Sequence, residues 1–212
     1  MDHAVALVQA YLRVNGYLTV TEYPVVEATL SGVMQATTDL DVLAFRFGRA
    51  SVLGQAARRG RAQGVASPLP VDPVLDVPPH LPDMIIGEVK EGKAVLNKAA
   101  TDRTVLEAAL SRFGCCDVSQ ASSVTAKLMR QGRAETPHGH RVRLVAFGST
   151  APDRRSARCQ VILLGHVLAF LRAHLRRHWA VIQASETKDP ALGFVKLLEK
   201  AGEDRPAGKG AR

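Results

Sequence analysis

Three charged side chains, Asp41, Glu88 and Lys90, are spaced so that two neighbouring strands would bring them to one point. Along Ile85-Ile86-Gly87-Glu88-Val89-Lys90 a strand alternates its side chains with a period of two, so Glu88 and Lys90 share a face. The two isoleucines mark that strand as buried, and charge placed in a buried strand without a partner is expensive. The run Thr38-Asp39-Leu40-Asp41-Val42-Leu43-Ala44 aligns Asp39 with Asp41 in the same way, and paired strands lie only about 4.8 Å apart. One carboxylate from each strand would hold Mg²⁺, a hard cation that takes oxygen ligands and keeps several of its waters. Such an ion suits phosphodiester hydrolysis, because it offsets the charge of the transition state and makes a bound water more acidic. Lys90 would orient that water or stabilise the developing negative charge. The plainer reading of Glu88 and Lys90 is an exposed strand edge with an ordinary ion pair, which is worth little energetically.

Other groupings compete for attention. Gly87-Glu88-Val89-Lys90-Glu91-Gly92-Lys93-Ala94 fits the spacing G-x-x-x-x-G-K of a nucleotide-binding loop, with Lys93 as the phosphate lysine. Ala94 stands where Ser or Thr would bind Mg²⁺, and Glu88 and Glu91 would repel the phosphates. Cys115, Cys116 and Cys159 with His138 and His140 contain no C-x-x-C pair and match no common zinc spacing, so buried small hydrophobes and surface histidines are expected. His166, inside the apolar run Val161 to Leu171, reads as a satisfied core histidine. The basic residues Arg172, Arg176 and Arg177 would track a nucleic-acid backbone or form a solvated helix face. Arg58, Arg59 and Arg61 add a second basic cluster.

The balance of charge points the same way. With 46% apolar and 23% charged residues over 212 positions, the chain has the composition of a folded protein and the length of one domain that can bury a sizeable core. A formal charge of +8 favours polyanions, nucleic acid first, since each Lys or Arg set on a phosphate releases a condensed counterion. Three cysteines are too few for a disulfide framework, and no apolar leader with a cleavage site opens the chain, so a reducing, cytoplasmic setting is expected. The apolar run 161–171 falls short of the roughly 20 residues of a membrane span.

The elements that must position these residues follow from periodicity. Val5, Leu7, Val8, Tyr11 and Leu12 predict a helix over 3–14, stopped by Asn15-Gly16. Strands are expected over 18–27, at an edge or bulged because of Pro24, and over 39–47, joined as a hairpin through Ser31-Gly32. A Pro/Gly-rich loop occupies about 48–82. A strand over 84–90, a helix over 103–113, a strand over 142–147 and a strand or turn running into a helix over 161–183 follow. One domain is expected over 1–202, with a disordered basic tail over 203–212. This order describes an α/β sandwich whose central sheet is mixed and flanked by helices.

Asp41, the Glu88-Val89-Lys90 triplet and this order of elements resemble the PD-(D/E)xK nuclease superfamily, which includes restriction endonucleases and archaeal Holliday-junction resolvases. The resemblance implies a restriction-endonuclease-like core. It also implies that Asp41 and Glu88 bind Mg²⁺ or Mn²⁺, that the backbone carbonyl of Val89 adds a ligand and that Lys90 serves catalysis. The partner is then DNA, bound with help from Lys93, Arg58, Arg59, Arg172 and Arg176, and a homodimer is compatible with the reading. The superfamily often adds an acid near its first helix or strand, for which Glu22, Glu27 and Asp39 are candidates. The literal Pro82-Asp83 is a poor substitute for Asp41: five residues at about 3.3 Å each set it some 16 Å from Glu88. A non-catalytic DNA-binding or assembly protein on the same fold is the alternative.

Overall fold

Asp2, just ahead of the first apolar-periodic run, accepts the Ala4 N–H at 2.7 Å and so caps α1 (His3–Val14). Gly16 turns the chain with φ +85° into β1 (Leu18–Ala28), which pairs antiparallel with β2 (Met34–Arg46). The computed structural model describes residues 2–28, 34–48, 71–153, 158–182 and 187–202. The expected turn at Ser31-Gly32, the basic cluster Arg58, Arg59 and Arg61, most of the 48–82 loop and the tail lie outside these residues.

Among the described residues, the first element after β2 is a 3₁₀ turn, Pro73–Leu75, held by the Asp72 side chain on Val74 N–H at 3.0 Å. Next are β3 (Asp83–Lys93), α2 (Arg103–Arg112), α3 (Val118–Gln131), β4 (Arg133–Glu135) and β5 (Arg141–Thr150). The chain then runs through β6 (Gln160–Leu163), α4 (Leu164–Arg177), α5 (Trp179–Ile182) and α6 (Pro190–Gly202). The sheet has the order β1-β2-β3-β5, with β4 and β6 both on the far edge of β5. β1 and β2 are antiparallel to their neighbours, whereas β3, β5 and β6 run parallel, so the sheet is mixed as expected. Pro24 falls on an edge strand, as its missing N–H favours, and the register shifts between Val25 and Val26 as a bulge would make it.

β3 is central, and its two faces feed two cores. Ile85 and Val89 pack with Val42, Ala44, Val145 and Phe147 against α1, α4 and α6. Met84 and Ile86 pack with Leu43, Val142 and Leu144 against α2 and α3. Each fully buried leucine or isoleucine contributes about 1.5–3 kcal/mol, so both helical layers are fixed by apolar burial. No helix among the described residues is long and apolar enough to cross a membrane.

Several elements lie where no expectation was formed. α3 buries only Ala121, Val124, Thr125 and Leu128, a spacing of three and four obscured by Ser122 and Ser123 within it and Ser119 and Gln120 ahead of it. Its start is nonetheless written in the sequence, since Asp117 and Gln120 form a capping box. β4 and α6 were likewise unforeseen.

Candidate active site

The ladder between β2 and β3 runs from Arg46↔Asp83 to Val42↔Gly87 and stops there. One further step of the same register would set Asp41 opposite Glu88, on the face that Leu43 and Ile86 share. Instead of continuing the ladder, the Asp41 side chain takes it over: its Oδ2 accepts the Val89 N–H at 2.8 Å. Gly87 makes this approach possible, because a Cβ there would meet Val42 Cγ1 at 2.5 Å. Beyond Asp41 the alternation of β2 breaks, since Leu40 joins the same core as Leu43 although three residues separate them. Glu22 occupies the β1 register position facing Asp41, between the pairs Thr21↔Val42 and Tyr23↔Leu40, with φ +53°. A non-glycine residue in that region of φ is uncommon, so the hairpin is strained at the place where Asp41 turns in.

Glu88 is fully buried, and Lys90 Nζ lies 2.5 Å from its Oε1 while the lysine side chain stays 42% exposed. This is an ion contact without hydrogen-bond alignment, and neither Glu88 oxygen accepts a hydrogen bond of normal geometry. Burial pushes the Glu88 pKa up to about 7; contact with Lys90 works against the rise and the neighbouring Asp41 carboxylate adds to it. Partial burial would lower the Lys90 pKa, but the Glu88 contact and the fields of Asp41 and Asp2 prevail and raise it, so Lys90 is a cation. Two carboxylates and one ammonium thus meet midway along the central strand, where its ladder with β2 ends. Their arrangement can draw in a cation, hold an anion on Lys90, and exchange a proton near neutral pH.

The remaining expected residues are distributed as follows. Glu22 is exposed and accepts the Asp2 N–H at 3.3 Å, close to the α1 start. Asp39 is exposed and faces Pro24 in register. Glu27 pairs with Gln35, six residues along β2 from Asp41 and so roughly 20 Å away, which removes it from the group. Asp83 sits at the start of β3, five residues before Glu88 and fully buried, where Arg143 Nη2 reaches it at 2.8 Å and Tyr17 Oη donates at 2.5 Å. Asp2 was missed by sequence reasoning; its signal was its place as the N-cap of a helix that packs on β3.

The nucleotide-loop reading of Gly87–Lys93 needs correction. These residues form continuous strand, whereas a phosphate cradle needs a loop opening a helix. Lys93 is exposed and forms an ion pair with Asp153. Arg172 and Arg176 both place Nε on the buried Glu199 of α6. That bracket ties α4 to α6 in the layer across the sheet from Glu88, with both guanidinium groups about half exposed. Burial would raise the Glu199 pKa, yet the two arginines hold it below the usual carboxylate range. Arg58 and Arg59 lie outside the described residues.

Cys115 and Cys116 are buried as expected, Cys115 against Met84 Sδ at 3.0 Å. His140, expected on the surface, is instead buried, with Nδ1 on Thr136 Oγ1 at 3.1 Å and its ring edge-on to Phe45. His166 is satisfied by Asp72 Oδ2 at 2.6 Å, though over a third of its side chain is exposed. Among the described residues no group of three or more His, Cys, Asp or Glu is gathered to hold a metal, so any cation at Asp41 and Glu88 would need backbone or water oxygens besides. Comparison of the chain with protein-family models, with curated proteins and with solved structures finds no match.

Proposed function

We propose that the protein is a metal-dependent nuclease that hydrolyses phosphodiester bonds in DNA, built on a restriction-endonuclease-like core of the PD-(D/E)xK type. The observation that carries the reading is the Glu88 carboxylate, fully buried, without an aligned donor on either oxygen, and set against Asp41 and Lys90. A buried acid of this kind is costly unless something arrives to use its lone pairs. Asp41 and Glu88, with the Val89 carbonyl, fit a hard divalent cation, Mg²⁺ or Mn²⁺, in chemistry and in their place where the β2–β3 ladder ends. When bound, that ion would offset the negative charge of the phosphate and make a water more acidic.

The protein's own residues then have distinct tasks. Asp41 bridges from β2 to the β3 backbone and so sets the distance between its strand and Glu88. Glu88 supplies negative charge at the buried base of the site and, with a pKa of about 7, gives up its proton readily at neutral pH. Lys90 is charged and half exposed, so it can leave Glu88 for a scissile phosphate and stabilise charge that develops there. The net charge of +8 favours approach of the nucleic acid. DNA rather than RNA is proposed because the superfamily resembled acts mostly on DNA. A cytoplasmic setting and a homodimer remain part of the proposal.

The test is cleavage of labelled single-stranded, duplex and branched DNA with Mg²⁺ or Mn²⁺. Asp41→Ala, Glu88→Ala and Lys90→Ala should each reduce the rate about 10²- to 10³-fold or more. A second reading is favoured by one observation: Lys90 and Glu88 already neutralise each other, as in a structural ion pair. On that reading the protein binds DNA without cutting it, and binding is metal-independent and survives Glu88→Ala. Intact substrates under all of these conditions would rule out the nuclease and leave the binding protein.

A further inference from the structure

β4 and β6 pair with one and the same edge of β5, β4 as far as Arg133↔Arg143 and β6 from Gln160↔Val145 onward. Leu144 falls between them and donates its N–H to Gly132 O at 2.8 Å. Two strands set end to end on one edge leave a notch, and here the notch opens into a cavity of about 940 Å³. None of Asp41, Glu88 and Lys90 lines it. Arg133, Arg141, Arg143 and Arg158 do, together with an apolar wall that includes Val95 and Leu96.

The four arginines are not equivalent. Arg141 and Arg143 are anchored on the buried Asp83, and Arg141 also faces Asp76, the one carboxylate of the wall. Their positions are therefore fixed and their charge largely offset. Arg133 and Arg158 are exposed and meet no carboxylate among the described residues; Arg158 Nη1 rests on the Arg130 carbonyl. Two forked cations at the rim of a concave site, with rigid donors behind them, suit a phosphate, which accepts bidentate bonds from guanidinium. The cavity lies in the range of roughly 300–1,000 Å³ that small ligands occupy and far exceeds a bare phosphate. A ligand that fills it carries an apolar body for Val95 and Leu96 beside its anionic group.

We infer that this notch binds a nucleoside phosphate, with Arg133 and Arg158 on the phosphate and the wall of Val95 and Leu96 against the nucleoside. The inference does not rest on the nuclease reading, because no residue is shared with the site at Glu88. The same chemistry is presented by a free nucleotide and by the phosphorylated end of a strand.

Calorimetric titration in EDTA with deoxyadenosine monophosphate, deoxyadenosine and inorganic phosphate tests it. The monophosphate should bind saturably, and deoxyadenosine and phosphate each at least about tenfold more weakly. Arg133→Gln and Arg158→Gln, both at exposed positions and checked for folding by circular dichroism, should each weaken the monophosphate by about tenfold or more. Glu88→Gln should titrate as wild type, which separates this site from the proposed catalytic one. Displacement by a short 5′-phosphorylated single strand, and not by its 5′-hydroxyl counterpart, would identify a strand end; failure of both to displace would identify free nucleotide. Absence of saturable binding, or equal binding in both arginine variants, overturns the inference. Phosphate binding as tightly as the monophosphate overturns its nucleoside part.

Discussion

Glu88 is the residue on which the electrostatics turn. Its folded-state pKa of about 7 lies above the ordinary 4.5, chiefly through burial, so the native state favours the protonated carboxyl. The stability this provides is fully present below about pH 4.5 and is lost as pH rises through 7. Glu88→Gln removes the titration. In EDTA, its stability relative to wild type should climb between those pH values to a gain of up to about 3 kcal/mol above pH 7. Urea unfolding at a series of pH values would show this, and a difference that stays flat with pH would exclude a Glu88 carboxyl whose pKa burial raises despite its contact with Lys90. Lys90 behaves oppositely in kind: its shift keeps it charged throughout, so it adds no titration near neutrality.

At the scale of elements, the end of a helix and the start of a strand depend on Gly132. It closes α3 with φ +72°, and a Cβ there would stand 2.1 Å from the Arg158 backbone oxygen. Gly132→Ala therefore meets both a left-handed backbone and a backbone neighbour that cannot rotate away. It should destabilise the protein by about 2 kcal/mol or more, seen as a lower urea midpoint with unchanged slope, and a wild-type midpoint would contradict the packing of residues 158–159 against Gly132. The elements that were legible beforehand are those with strong local period: α1, the β1 edge strand with its proline, β2, β3, α2, β5 and the run of β6 into α4. α3 and α6 were not: both are amphipathic, but the buried stripe of α3 includes the small Ala121 and Thr125, and α6 buries only Val195 and Glu199 while Phe194, Leu197 and Leu198 stay exposed; the tight approach of residues 158–159 to Gly132 is likewise not written in the local sequence.

Across the whole molecule, Asp83 is the point where distant parts of the chain converge. Tyr17 from the α1–β1 connection, Arg141 and Arg143 from β5, and through Arg141 the Asp76 region all meet at its carboxylate. Burial raises the Tyr17 pKa well above the ordinary phenol range, reinforced by Asp83 although Arg143 acts against it, so its hydroxyl is a lasting donor. Asp83→Ala leaves the buried Arg143 cation without its carboxylate and should cost about 3–5 kcal/mol, measurable by urea unfolding at neutral pH. A loss below about 1 kcal/mol, the scale of an exposed pair, would mean that the cluster is solvated. The sequence by itself determined the period-two pairing of Glu88 with Lys90, the candidacy of Asp41 over Asp83, the mixed α/β order and the basic charge, because alternation, reach and composition are local or additive properties. Only the tertiary structure decided that Asp41 ends the β2–β3 ladder by capping Val89, that Arg172 and Arg176 bracket Glu199, and that β4 and β6 leave a notch on β5. Those arrangements depend on register and on which residues far apart in the chain become neighbours, and neither is written in the spacing of any one segment.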